Sequence, residues 1–402
     1  KSILGKVHQC FRKKFAIWMI LFILSSLTLL SGCDSNQRQQ TKEKQPQVSE
    51  LSISVDAGLV TDDFLDFIDS FSSTHKIDIQ LNERPSGTAG ENEVTTELLT
   101  KNASDILLFN SGGLFKALDP QEYFYDLSDE YYVDQYIDSY RQAVSIKKEV
   151  YGLPMGNVDA IGFIYRKDIY DDLDLSIPNN WEDFEKNLKK IKENSITPIL
   201  TPFKDQWLTQ YYWYVAETSE SISGVEQYRE VLEKVDRLKS QEFLSQNLLT
   251  MSLSMGLNDF GKKNSAHLLG QYSFQNYLTN NHVLDKDKLG FFPFPNQDNQ
   301  YVYMLPSSLY INKETKNLTH CRLFFEEYFE KKISNLPSTK EQPGILNNAK
   351  IKPGRIIYEQ QMDYKVDILP ELLLDFFTNN LTVDDLLHQY QQRNEELKLI
   401  HY

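Results

Sequence analysis

The side chains able to hold a metal, attack a carbonyl or shuttle a proton are scattered along this chain rather than grouped. Its seven histidines, His8, His75, His267, His282, His320, His388 and His401, fall at no H-E-x-x-H or comparable spacing, so no local segment builds a catalytic zinc site. No G-x-S-x-G elbow and no G-x-x-x-x-G-K-[ST] loop occurs, which removes the common hydrolase and P-loop chemistries. With 57 Asp and Glu residues two carboxylates can always be paired, so a glycosidase-like couple carries no information. With these signatures absent, neither an enzymatic activity nor a cofactor is expected.

Cys33 raises a different chemistry. Lys1, Lys6, Arg12, Lys13 and Lys14 precede an apolar stretch from Phe15 to about Leu30, then small Ser31 and Gly32, then the cysteine. This three-part layout is that of a secretory signal, with an uncleaved membrane anchor as the alternative. Leu30-Ser31-Gly32-Cys33 resembles the bacterial lipobox, which implies cleavage before Cys33 and a diacylglycerol on its sulfur. Residues 1–32 are thus expected to be a leader. Residues 33–50, rich in Gln, Lys, Glu and Ser with Val48 as the one large apolar side chain, are expected to be a solvated tether.

Removing residues 1–32 takes away five basic and no acidic groups, so the formal charge moves from −15 to 37 − 57 = −20. A chain this acidic is a poor partner for nucleic acid or for an anionic lipid surface, and its membrane contact would run through the lipid anchor. Cys10 leaves with the leader and Cys33 is acylated, so Cys321 remains as a single thiol with no disulfide partner. Its setting, THCRLFFEEYF, has helical apolar spacing, which predicts a buried structural cysteine.

From Leu51 onward the apolar period switches between two and 3.6. LSISV, IDIQL and DILLF read as strands, and the segments 62–74 and 94–101 as helices, the first with Phe64, Leu65, Ile68 and Phe71 on one face. Such alternation predicts parallel βαβ units and an α/β lobe, with its ligand edge beyond the carboxyl ends of the strands. Asp56, Asn110, Ser111 and Ser308 end or follow strands at that edge. Asp105 opens a strand and reads as a structural acid. Further on, VYGLPMGNVDAIGFIYRKDIY carries two apolar segments flanking Gly156 to Asp159; Asn179 or Asn180 can cap a helix burying Trp181, Phe184, Leu188 and Ile191. Trp213 and Trp181 sit at core spacing. Thr382 and Asp385 have capping-box spacing before a C-terminal helix.

Taken in order, the lipobox, the tether, SDILLFNSGG, YDLSDE, VYGLPMG…GFIYRKDIY, NNWEDFEKNLKKIK, LGQYSFQNYL, LGFFPFP and FFTNNLTVDDLLHQY resemble the sugar-binding lipoproteins of ABC importers, the extracellular solute-binding family 1 that includes maltose-binding proteins. The resemblance implies an α/β, bilobed type II periplasmic-binding-protein fold of two discontinuous lobes joined by three hinge crossings. Lobe 1 would hold 51–158 plus about 300–346, and lobe 2 would hold 159–299 plus about 347–402. The crossings would lie at 157–162, after Pro295 and at about 347–352. A solute, by resemblance a carbohydrate, would bind between the lobes and pass to ABC permease subunits, with the protein lipid-anchored on the outer face of a bacterial cell membrane.

The same resemblance implies site residues. Asp159 falls where maltose-type binders place a hinge carboxylate on sugar hydroxyls, and a carboxylate suits this because it accepts two charge-assisted hydrogen bonds. Phe109 and Tyr272 fall where such binders place aromatic platforms for the apolar face of a pyranose. Tyr272 replaces the more frequent tryptophan, and the lead-in GKKNSAHLLG also departs from the family pattern. Trp207, in FKDQW, falls where the family reaches into the cleft. From the residues alone, Asp159 reads equally as a loop acid and Trp207 as a ring packed under Tyr211. A polyamine, a peptide or another small polar solute, or surface glycan interaction, is the alternative to sugar uptake.

Overall fold

A computed structural model describes residues 49–57, 59–85, 88–111, 113–156, 158–218, 224–295, 301–334, 355–357 and 368–400. Cys33, nearly all of the expected leader and tether, Asn157 and the expected crossing at 347–352 lie outside the described residues. In chain order the strands are β1 (Ser49–Asp56), β2 (Ile77–Arg84), β3 (Ile106–Phe109), β4 (Ser145–Ile146), β5 (Glu149–Val150), β6 (Gly152–Pro154), β7 (Asp159–Arg166), β8 (Thr197–Leu200), β9 (Ser265–Gln271), β10 (Leu289–Phe292), β11 (Val302–Met304), β12 (Ser308–Ile311) and β13 (Arg355–Ile357).

The protein is bilobed, with one sheet per lobe. The first sheet has the order β2-β1-β3-β12-β6, with β1, β2 and β3 parallel and β12 antiparallel to both its neighbours. The second runs β13-β11-β7-β9-β8, with β10 also paired to β7. Each sheet is covered by its own apolar core. Leu51, Ile53, Phe64, Phe71, Phe324 and Phe325 pack on the first. Phe163, Phe184, Trp213, Leu268, Leu372 and Phe376 pack on the second.

Local chemistry explains the helices. Thr61 accepts the N–H of Phe64 at 3.2 Å to start the helix Asp62–His75, and Lys76 in the left-handed region (φ 54°) ends it. The stripe it buries is Phe64, Phe67, Ile68 and Phe71; Leu65, expected inside, is 37% exposed because it lies a quarter turn off that line. Asn180 caps Trp181–Glu193 through the N–H of Asp183 at 2.9 Å. Thr382 and Asp385 form the reciprocal capping box, each accepting the other's backbone N–H at 3.1 Å. Asp105 is a structural acid: one carboxylate oxygen accepts the N–H and hydroxyl of Ser52, both at 2.8 Å, tying β1 to the start of β3. Cys321 is fully buried in the first core. Trp181 and Trp213 lie in the second.

The chain leaves the first sheet after Pro154 and enters the second at Asp159. It returns later than position 300, since β11 still pairs with β7 through Met304 opposite Asp159, and only residues 305–307 separate it from β12. Aromatic packing accounts for the delay. Tyr301 and Tyr303 join Val158 and Ala160 in a small buried cluster, and Tyr301 stacks on Phe291 at 5.2 Å.

Candidate site at the crossing between the lobes

Asp159 is the first residue of β7, and one carboxylate oxygen accepts the N–H of Ala160 at 2.8 Å. The backbone N–H of Ser273 reaches both of its oxygens at 3.3 Å. That contact spans 114 residues, made possible because Tyr272 donates its own N–H to the Ala160 carbonyl at 2.8 Å and so extends the β7–β9 ladder by one step. Burial pushes the Asp159 carboxyl above the usual carboxylate range, and the surrounding donors act against that shift. The group is a half-buried charge with acceptor capacity to spare.

Tyr272 is brought to the same place. Its ring lies edge-on to Phe291 at 5.2 Å and borders the cluster of Val158, Ala160, Tyr301 and Tyr303, leaving it half-buried. Phe274 follows Ser273, and its ring centroid is 6.4 Å from that of Trp207. Trp207 sits in a short 3₁₀ turn, Gln206–Thr209, edge-on to Tyr211 at 5.8 Å and 43% exposed. One edge thus packs on Tyr211, and a large part of the indole is exposed. Asp159, Tyr272 and Trp207 thus belong to one continuous run of contacts on the second lobe.

The candidates on the first lobe have other partners. Phe109 is 3% exposed, stacked on Tyr310 at 4.2 Å and packed near Phe124, so it has no ring face to give a ligand. Its expected platform role does not hold in this conformation. Alternation along β3 turns Leu108 to one core, and Leu107 and Phe109 to a second one that Phe115 and Phe124 close over. Ser111 and Ser308 are also buried, in a relay of hydroxyls. Each has one proton to give, so Tyr140 donates to Ser308, Ser308 to Ser111, and Ser111 to the Pro306 carbonyl at 2.6 Å. Asn110 accepts from the Ser307 hydroxyl at 3.0 Å. These three residues fasten the second crossing to the first lobe.

The first crossing is fastened beside it, since Met155 donates its N–H to the Ser307 carbonyl and accepts from the Tyr328 hydroxyl, both at 2.8 Å. Asp56 ends β1 opposite Arg84, half-buried. Arg84 is 2% exposed and donates to the Ser54 hydroxyl at 2.7 Å and the Leu108 carbonyl at 2.6 Å. Burial lowers its pKa while Glu97 and Asp56 oppose that loss of charge. Asp56 therefore has an electrostatic role within its own lobe.

Ser273 and Phe274 are the contributors that sequence reasoning passed over. A serine ahead of a short apolar helix, Phe274–Asn280, was the available signal. Among the described residues, no group of three His, Cys, Asp or Glu side chains is placed to hold a metal ion, and no helix is long and apolar enough to cross a membrane.

A family model described as bacterial extracellular solute-binding protein matches residues 57–331. A multiple sugar-binding protein of Streptococcus mutans serotype c is 21% identical over 248 residues, covering 60% of this chain and 56% of the relative. The chain thus matches little more than half the length of that curated relative. Among solved structures, a chitin oligosaccharide binding protein superposes with a TM-score of 0.73 at 17% identity, covering 86% of this chain and 98% of the other. A Bacillus licheniformis sugar transporter in complex with stachyose does so with a TM-score of 0.67 at 14% identity, covering 86% and 98%. At these identities the structural matches establish the fold.

Proposed function

The chain belongs to the bacterial extracellular solute-binding proteins, and from that premise we propose that it captures a carbohydrate between its lobes and delivers it to the permease of an ABC importer. It supplies recognition and performs no chemistry of its own. One observation carries the choice of ligand: a half-buried carboxylate, Asp159, lies one contact from the Ser273–Phe274 turn that supports the open indole of Trp207. Sugars ask for this pairing, because an aromatic face covers their C–H side while a carboxylate accepts from their hydroxyls.

The division into lobes belongs to the same proposal. Lobe 1 holds 51–158 and the segment from Ser308 to about 346, and lobe 2 holds 159–304 and the chain from about 347. Anchoring is through lipid on Cys33, which supplies two acyl chains where one would be marginal.

A thermal-shift screen of the chain beginning at Asp34 tests the proposal, using mono-, di- and trisaccharides alongside polyamines and short peptides. A sugar that binds raises the unfolding free energy by about 2.7 kcal/mol at one hundred times its dissociation constant. If amines or peptides move the transition and no sugar does, the carbohydrate assignment is wrong.

A further inference from the structure

Three adjacent strands of the second sheet begin or end at the crossing between the lobes. Met304 closes β11 and stands opposite Asp159, the first residue of β7, while Gln271 closes β9 and stands opposite Ile161. Residues opposed across an antiparallel ladder share a face, as do residues two apart on one strand, so Met304, Asp159 and Gln271 lie on the same face. Ala160 and Tyr303 take the other face and meet Tyr272 there in the small aromatic cluster. A contact agrees with this placement: the Gln271 amide nitrogen donates to the Met304 sulfur at 3.6 Å. Their strands stand two ladder spacings apart, about 10 Å, so the two side chains reach toward each other across β7, which lies between them.

That contact is a poor one for a glutamine. A thioether sulfur is a weak acceptor, and an amide turned toward it forgoes an oxygen partner. Burial along β9 explains why the side chain has no better choice inside the lobe: Ser265 to Gly270 are all buried, and Gln271 is the first residue of the strand that is not. Gln271 and Met304 are both half-buried, at the edge where the chain passes to the first lobe.

We infer that Gln271 is a specificity-determining residue of the Asp159 site, supplying a bound hydroxyl with the donor that a carboxylate cannot give. The inference rests on the carbohydrate proposal for that site. A sugar hydroxyl has one proton to donate and lone pairs with which to accept. Asp159 takes the proton, and the Gln271 amide exchanges the Met304 sulfur for the hydroxyl oxygen, a stronger acceptor. Met304 is then free to lie against neighbouring C–H groups, which its flexible and polarizable side chain suits. Together the two polar groups select a partner that both donates and accepts. A protonated amine, which only donates, or an ether oxygen, which only accepts, satisfies one of them and leaves the other unpaired.

Calorimetric titration of the chain beginning at Asp34, which retains every described residue, with galactose, maltose, raffinose and diacetylchitobiose tests the pair. Gln271→Met keeps the length of the side chain and removes its amide, so each sugar that binds the parent should bind about three- to tenfold more weakly, with an unchanged thermal transition in the absence of sugar. Gln271→Glu keeps the shape but turns the donor into a second acceptor, and should cost more than about tenfold. Combining Gln271→Glu with Asp159→Asn exchanges the two roles, so this double variant should bind at least about fivefold better than the product of the two single losses predicts. Support of the fold alone predicts no such recovery, and the comparison decides the matter even if Gln271→Met lowers the thermal transition. Unchanged affinity in both single variants of Gln271, or strictly multiplicative losses in the exchanged pair, overturns the role of Gln271 and leaves the carbohydrate proposal standing. Failure of all four sugars to bind the parent chain removes that proposal and the role of Gln271 together.

Discussion

Replacing Asp159 by Asn keeps the side chain's shape and removes its charge, which separates a binding role from a structural one. The carboxylate accepts the N–H groups of Ala160 at 2.8 Å and Ser273 at 3.3 Å. An amide oxygen can keep the shorter of these, and the longer contact is weak, so its loss costs under about 1 kcal/mol. Against that stands the relief of desolvation, since burial is what lifts this carboxyl above its ordinary range. The sign follows from linkage. A raised folded-state pKa means the group's contribution to stability is full below the ordinary carboxylate value and is lost as pH rises through the folded value. At pH 7 Asp159→Asn should therefore be as stable as the parent or slightly more so, and any advantage should vanish toward about pH 3, where both are uncharged. Sugar affinity should move the other way, because a charge-assisted acceptor becomes a neutral one, at about 1–3 kcal/mol or roughly 5- to 150-fold. Urea unfolding at pH 3, 5 and 7, with calorimetric titration of whichever sugar the thermal screen selects, reads both quantities. A variant that loses more than about 2 kcal/mol at pH 7 yet binds sugar unchanged would show Asp159 to be only a cap on the Ser273 turn.

Three further outcomes test the fold and the anchor. His267 is fully buried between the Tyr170 hydroxyl at 2.7 Å and the Pro198 carbonyl at 2.8 Å, and burial pushes its pKa down to about 4. Its contribution is complete above the ordinary histidine value and lost as pH falls through about 4, so unfolding free energy should drop by roughly 1–3 kcal/mol over that interval and His267→Gln should flatten the slope. Gly162→Ala should lower the urea midpoint by about 1–3 kcal/mol of stability, because its Cβ would meet the Phe292 carbonyl at 2.6 Å, whereas Gly156→Ala, with nothing within 4 Å, should change little. Cys33→Ser should release the protein to the medium once the leader is cleaved, followed by cell fractionation together with N-terminal sequencing; retention of the cleaved chain on the membrane would refute the lipid anchor.

Secondary structure was legible because the signals for it are local. Thr61, Asn180 and the Thr382–Asp385 pair cap the helices that follow them, and the apolar period marks β1, β3 and the stripe Phe64-Ile68-Phe71. Pairing between distant segments was not. Nothing in YVYMLPSSLYI marks that β11 belongs to one sheet and β12 to the other; register with Asp159 on one side and Phe109 on the other decides it. The same blindness affected the site. Phe109 and Ser308 both end at the expected edge, but they oppose each other in register, and their surroundings turn the ring into one core and the hydroxyl into a relay with Ser111 and Tyr140.

A physical criterion now sorts seven of the eight positions better than their place on a strand. Ser111 and Ser308 have their hydroxyls satisfied inside the protein, Asn110 has the Ser307 hydroxyl, and Phe109 is buried, stacked on Tyr310 and packed near Phe124, so each already contributes to stability where it stands. Asp159 and Trp207 are placed at a cost: burial disfavours the charge of the first, and the second leaves 43% of a large apolar side chain in water. On the proposed reading, a solute that donates hydroxyls and presents an apolar face would offset that cost. Tyr272 falls between the two groups, half-buried against Phe291, and is expected to shape the site's floor more than to bind.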